Sequence, residues 1–65
     1  MRQRFDVQGM TCDHCARAVT DAVRRVDAHA RIDVDLASGR VEVESGEPRE
    51  RIAAAIHDEG YAVSG

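Results

Sequence analysis

The chain has 65 residues, 43% of them hydrophobic, and reads as one small domain spanning 1–65 with a modest core, since so short a chain buries little more than half the surface it exposes when unfolded. Twelve acidic residues stand against nine arginines and no lysine, a formal charge of -3, which argues against a protein that grips a nucleic-acid backbone. The longest unbroken apolar run, Ile52 to Ile56, falls far short of the roughly 20 residues of a membrane span, and the N-terminus lacks the apolar region of a secretory signal. A soluble, cytoplasmic chain with no membrane insertion is expected.

In chain order, Phe5 and Val7 alternate with Arg4, Asp6 and Gln8, the period of a half-buried strand, which Gly9 ends. The next residues, Met10-Thr11-Cys12-Asp13-His14-Cys15, hold the only two cysteines. From Cys15 the small or apolar positions Ala18, Val19, Ala22, Val23 and Val26 form the stripe of an amphipathic helix, with Arg17, Asp21, Arg24 and Arg25 on the other face. Ile32, Val34 and Leu36, then Val41 and Val43, alternate with acidic residues around Ala37-Ser38-Gly39-Arg40, which predicts a hairpin with one apolar face. Asp33, Asp35, Glu42 and Glu44 then belong to a solvated sheet face. Pro48 suits the first position of a second helix; Ile52, Ala55 and Ile56 make its stripe, and Gly60 stops it. Tyr61-Ala62-Val63 is a short last strand. The order strand, helix, strand, strand, helix, strand is the ferredoxin-like βαββαβ pattern, an α+β sandwich in which two helices cover one face of a four-stranded antiparallel sheet.

Cys12 and Cys15 alone leave a redox dithiol, half of a structural zinc site and a two-coordinate metal site open. A closed zinc site needs about four ligands, and the only other strong nitrogen donors are His14, His29 and His57, none at the spacing of a second ligand pair. Haem attachment fails because Ala16 follows the second cysteine. A thiol-disulfide oxidoreductase is the serious rival, because a cysteine at a helix N-terminus has its thiolate favoured there. Thioredoxin-like motifs, however, sit in a longer parallel-sheet domain. Soft thiolates select Cu(I), which does not demand a complete tetrahedral shell. Two sulfurs can then hold the ion and leave a position free for a partner's thiolate. Protons compete for the same sulfurs, so affinity weakens as pH falls.

Around the pair, Met10 reads as a buried anchor for the loop more than as a thioether ligand. His14 is a competent copper donor by chemistry, but residues between two such cysteines point toward solvent or a partner. Asp13 suits the first helical turn. Tyr61 either packs its ring against the cysteine loop with its hydroxyl near the sulfurs or is an ordinary core-edge aromatic with a wet tip, and the site role is slightly favoured. Arg17, Arg24 and Arg25 could steer an acidic partner toward the metal end, although Asp21 and Asp27 interrupt them.

Gly9-Met10-Thr11-Cys12-x-x-Cys15 after a first strand, in this order of elements, resembles the heavy-metal-associated domain family from Phe5 to the Gly60-Tyr61 pair. The form with His14 before Cys15 and Tyr61 after Gly60 is similar to bacterial cytosolic copper chaperones. The resemblance implies Cu(I) bound by Cys12 and Cys15 and passed to a copper-transporting P-type ATPase or a copper-sensing regulator. It also leaves room for a copper-dependent homodimer that shares ligands across two sites. Thr11 stands where zinc-tuned relatives often place an acidic residue, so copper is favoured over zinc. Binding of mercury, or an origin as an excised transporter domain, is also compatible with the resemblance. Met1 and an end soon after the last strand suit a complete small protein. The one departure is Asp27-Ala28-His29-Ala30, where relatives commonly turn on a glycine.

Overall fold

Alternation along the strands becomes a two-sided sheet. In the computed structural model, which describes residues 2–64, Phe5, Val7, Val41 and Val43 are buried while their neighbours Arg4, Asp6 and Glu44 face water. The elements run β1 (Arg2–Gln8), α1 (Asp13–Val26), β2 (Arg31–Asp35), β3 (Arg40–Glu44), α2 (Arg49–Asp58) and β4 (Ala62–Ser64). The sheet order is β2-β3-β1-β4 with every pair antiparallel, so the first strand lies inside and the last closes an edge. Val19, Ala22 and Val23 of α1 and Ile52 and Ile56 of α2 bury against that one apolar face, giving the ferredoxin-like sandwich expected from the periodicities.

Several boundaries differ from expectation, each for a local reason. Helix α1 begins at Asp13, two residues before its apolar stripe, because Cys12 already caps it in an extended conformation. Leu36 leaves the strand pattern: β2 ends at Asp35, and Leu36 opens the turn while still packing on the core. Arg40 belongs to β3, paired with Asp6 on one side and Asp35 on the other. Pro48 sits one position earlier than expected, as the N-cap of α2, where its φ of -60° and extended ψ lead the chain into the helix and its carbonyl accepts from the amides of Arg51 and Ile52. Tyr61 precedes β4 rather than starting it.

The turn at Asp27 closes without a glycine. One carboxylate oxygen accepts from the His29 amide at 3.0 Å, the other accepts from the Ser45 hydroxyl at 2.6 Å, and the Asp27 carbonyl accepts from the Ala30 amide at 3.1 Å. Such an Asx turn supplies through a side chain what a left-handed residue otherwise gives. Ser45, itself buried, also accepts from the Glu47 amide, so the loops after α1 and after β3 are tied together. The Ser45 and His29 bonds hold the Asp27 carboxyl below the usual carboxylate range. At this end Arg49 lies over the Phe5 ring, 4.2 Å from its centroid, and seals the core with a cation–π contact.

The hairpin turn docks on β1. The Gly39 carbonyl accepts from the Val7 amide at 2.7 Å, adding a bond beyond the last paired residues Asp6 and Arg40. Gly39 has φ +74°, and a Cβ there would stand 2.6 Å from the Val7 carbonyl oxygen. Only glycine fits this approach.

Candidate metal centre

Gly9 ends β1 at φ +100° and redirects the chain toward α1; a Cβ on it would lie 3.4 Å from Cδ1 of Tyr61, so the tyrosine ring covers the turn. Met10 then points inward and joins the core at 8% exposure, while Thr11 and Cys12 are exposed. The buried methionine fixes the loop from below.

Cys12 is the N-cap of α1. Its carbonyl accepts from the amides of Cys15 at 3.0 Å and Ala16 at 3.3 Å. Its side chain makes no capping bond. A Ser, Thr, Asp or Asn here commonly commits its side-chain oxygen to the helix; the cysteine leaves its sulfur unengaged by the helix and open to solvent. The two Sγ atoms lie 4.0 Å apart, Cys12 exposed and Cys15 half-buried, both as free thiols.

The surroundings favour an anion at Cys15. A hydrogen bond from the Tyr61 hydroxyl is the largest influence, followed by one from the Thr11 backbone amide, against a smaller opposing cost of burial. The Cys12 amide and thiol add to the effect, and together these lower the Cys15 thiol from 9.0 to about 6. Reciprocally, the Cys15 sulfur, then burial, raise the Tyr61 hydroxyl above its ordinary value. Clustered loop amides around a sulfur make a small anion-binding nest.

Of the residues singled out in the sequence, Cys12, Cys15 and Tyr61 come together, and Met10 supports their loop from the core. His14 is exposed and lines a shallow hollow with Asp13 and Arg17 on the surface of α1. Among the described residues no group of three or more His, Cys, Asp or Glu side chains is arranged to hold an ion. His29 and His57 are exposed in the turn after α1 and in the last turn of α2. Arg24 and Arg25 sit in the last turn of α1, where Arg25 reaches Glu59 at 3.4 Å, while Arg17 is exposed on the surface of α1 beside His14. Sequence reasoning missed Thr11, whose contribution is a backbone amide and carries no side-chain signal.

The sequence pattern of the heavy-metal-associated domain family matches residues 4–62. The chain is 39% identical over 62 residues to a copper chaperone CopZ from Staphylococcus haemolyticus, covering 91% of each protein. It is 35% identical over 66 residues to a copper chaperone CopZ from Bacillus subtilis, covering 97% of this chain and 96% of that protein. Among solved structures, the copper chaperone Atx1 from Synechocystis PCC6803 in its Cu2 form superposes with a TM-score of 0.91 at 37% identity, covering 95% of this chain and 98% of that one. A structure described as a CopZ metallochaperone gives 0.92 at 32% identity, covering 98% and 100%.

Proposed function

Because the chain belongs to the heavy-metal-associated domain family, we propose that it is a copper chaperone, a binding and delivery protein rather than an enzyme, that carries one Cu(I) ion between Cys12 and Cys15. The ion leaves by ligand exchange to a partner such as the metal-binding domain of a copper-transporting P-type ATPase or a copper-sensing regulator. The observation that carries this reading is the open thiol pair: two sulfurs 4.0 Å apart where α1 begins, with no third ligand gathered by the described residues.

Soft thiolates suit Cu(I), and an incomplete shell suits an ion meant to move on. With metal–sulfur bonds of about 2.3 Å, the length thiolates make to zinc, sulfurs 4.0 Å apart subtend an angle of about 120° at the ion. That angle leaves space for a third thiolate. A partner cysteine can enter before Cys12 or Cys15 leaves, so the ion is never free and no step requires a bare cation. A Cys15 thiol lowered to about 6 is largely ionised at neutral pH, so little proton release opposes loading there. The exposed Cys12 is the sulfur a partner meets first.

The thiol-disulfide oxidoreductase reading draws on the same lowered Cys15 thiol. A hollow of about 580 Å³ opens between Arg2, Gln3, Gly46, Pro48 and Arg49, but it lies on the opposite end of β1 from the cysteine loop and so does not present a substrate to the sulfurs. Copper delivery to an acceptor dithiol, without disulfide turnover by the metal-free protein, separates the two. Catalysed dithiol oxidation by the metal-free protein would favour the rival.

A further inference from the structure

Strand β1 is covered unevenly on its two sides. Against β3 it pairs from Arg2 to Asp6, but against β4 only Asp6, Val7 and Gln8 have partners among the described residues. The Val7 amide bonds Gly39 on the β3 side. Backbone groups alternate sides along a strand, so those of Phe5 and Gln3 also face β3, and those of Arg4 and Arg2 face the uncovered side. A side chain stands there where a strand amide otherwise would: Arg49 donates from Nη1 to the Arg4 carbonyl at 2.8 Å. Along this stretch lies the hollow of about 580 Å³, lined by Arg2, Gln3 and Arg4 and by Gly46, Pro48 and Arg49.

The side chains around the hollow are also incompletely matched. Gln3 donates from Nε2 to the Glu47 carbonyl at 2.8 Å, but its Oε1 is buried without a hydrogen-bond partner. Arg2 and Arg4, both exposed, share the single carboxylate of Glu42 at 3.8 and 3.4 Å. Arg49 is in no ion pair among the described residues.

We infer that an extended segment of a partner protein adds as a strand along Arg2–Arg4, antiparallel to β1, with acidic residues opposite Arg4 and Arg2 and a hydroxyl-bearing residue opposite Gln3, as in Glu-Thr-Glu. An unpaired stretch of strand backbone is a template for another strand, and main-chain bonds supply affinity while alternate side chains supply specificity. Directly opposite residues share a face of the sheet, so the two glutamates lie beside the Arg4 and Arg2 guanidinium groups and the threonine lies beside Gln3, where its hydroxyl can donate to Oε1. The covered flank already follows this rule: Glu42, Val43 and Glu44 of β3 stand opposite Arg4, Gln3 and Arg2. Arg49 yields the Arg4 carbonyl to the incoming amide. The site is at the other end of β1 from the cysteine loop, so a partner held here leaves the sulfurs exposed.

The test uses the reduced, metal-free protein and a fluorescein-labelled peptide with a central Glu-Thr-Glu, read by anisotropy, with amide exchange followed by NMR. The peptide should bind and slow exchange of the Arg4 amide. N-methylation of either glutamate keeps its charge but removes an N–H that faces β1, and should weaken binding about tenfold, as for a main-chain group left unbonded. N-methylation of the threonine, whose N–H faces away from β1, should change binding far less. A Lys-Thr-Lys peptide should not bind, and Arg4→Gln should weaken binding of the original peptide while Arg24→Gln, in the last turn of α1, should not. Absence of binding, or binding indifferent to N-methylation of the glutamates, overturns the inference; the second result would reduce the contact to charge attraction. Self-association of the protein by sedimentation, with the peptide left unbound, would place a second copy on this stretch and overturns it too.

Discussion

The Tyr61 hydroxyl lies beside the Cys15 sulfur, and hydrogen bonding from it is the foremost influence that lowers this thiol from 9.0 to about 6. Residues far apart in the sequence therefore set the charge of one thiol.

Tyr61→Phe keeps the ring over Gly9 and removes only the donor. The Cys15 thiol should move back toward 9, seen as a rightward shift in the pH dependence of thiolate absorbance or of alkylation by iodoacetamide. Each unit of that shift weakens Cu(I) binding by about tenfold wherever the proton competes. An unchanged titration would remove Tyr61 from the account.

The same lowered thiol makes metal-free stability depend on pH. An acid whose folded pKa lies below its unfolded value binds fewer protons when folded, so its contribution is fully present above 9.0, shrinks as pH falls, and is gone below about 6. Thermal unfolding of the reduced, metal-free protein should therefore show wild type gaining on Cys15→Ser between pH 6 and pH 9. Parallel behaviour of the two proteins across that window contradicts it.

Ser45 joins two loops through one hydroxyl, donating to Asp27 and accepting from the Glu47 amide. Ser45→Ala should cost about 1–3 kcal/mol in urea unfolding, the range for stranding buried hydrogen-bonding groups. Asp27 is held below its ordinary pKa by Ser45 first and the His29 amide second, so its stabilising contribution is complete above 3.8 and is lost as pH falls through its lower folded value. The acid-unfolding midpoint of Ser45→Ala should accordingly lie at higher pH than that of wild type.

Gly39→Ala forces a side chain into a left-handed conformation and sets its Cβ against the Val7 carbonyl, so a loss of about 1–3 kcal/mol is expected. Gly46 has nothing within 4 Å of a built Cβ, and Gly46→Ala should stay within about 0.5 kcal/mol of wild type. Equal urea midpoints for the two variants would show that the hairpin does not bear on β1 at that glycine.

The contrast between these glycines shows where the sequence speaks and where it is silent. Alternation at Phe5–Val7, Ile32–Val34 and Val41–Val43, and the stripe through Val19, Ala22 and Val23, made the sandwich legible because burial follows a period that any window reveals. The two thiols and Tyr61 were legible because their chemistry is carried by side chains. Gly39 looked like ordinary turn punctuation, since its close approach to Val7 depends on a strand distant in sequence. Asp27 looked like a defect in the turn, because its partner Ser45 arrives from another loop. Thr11 acts through a backbone amide that every residue but proline possesses. Element ends at Cys12, Leu36 and Pro48 moved by one or two positions, the usual scale at which capping outweighs periodicity.

Delivery requires a Cu(I) ion held by two sulfurs of one chain with a side left open for a third. X-ray absorption at the copper edge of the loaded, monomeric protein counts those neighbours directly. Two sulfur ligands from the chain are expected, lost together with tight binding in Cys12→Ala and in Cys15→Ala when titrated against a competing chelator. A shell of four protein ligands, or affinity undiminished in both variants, would contradict it.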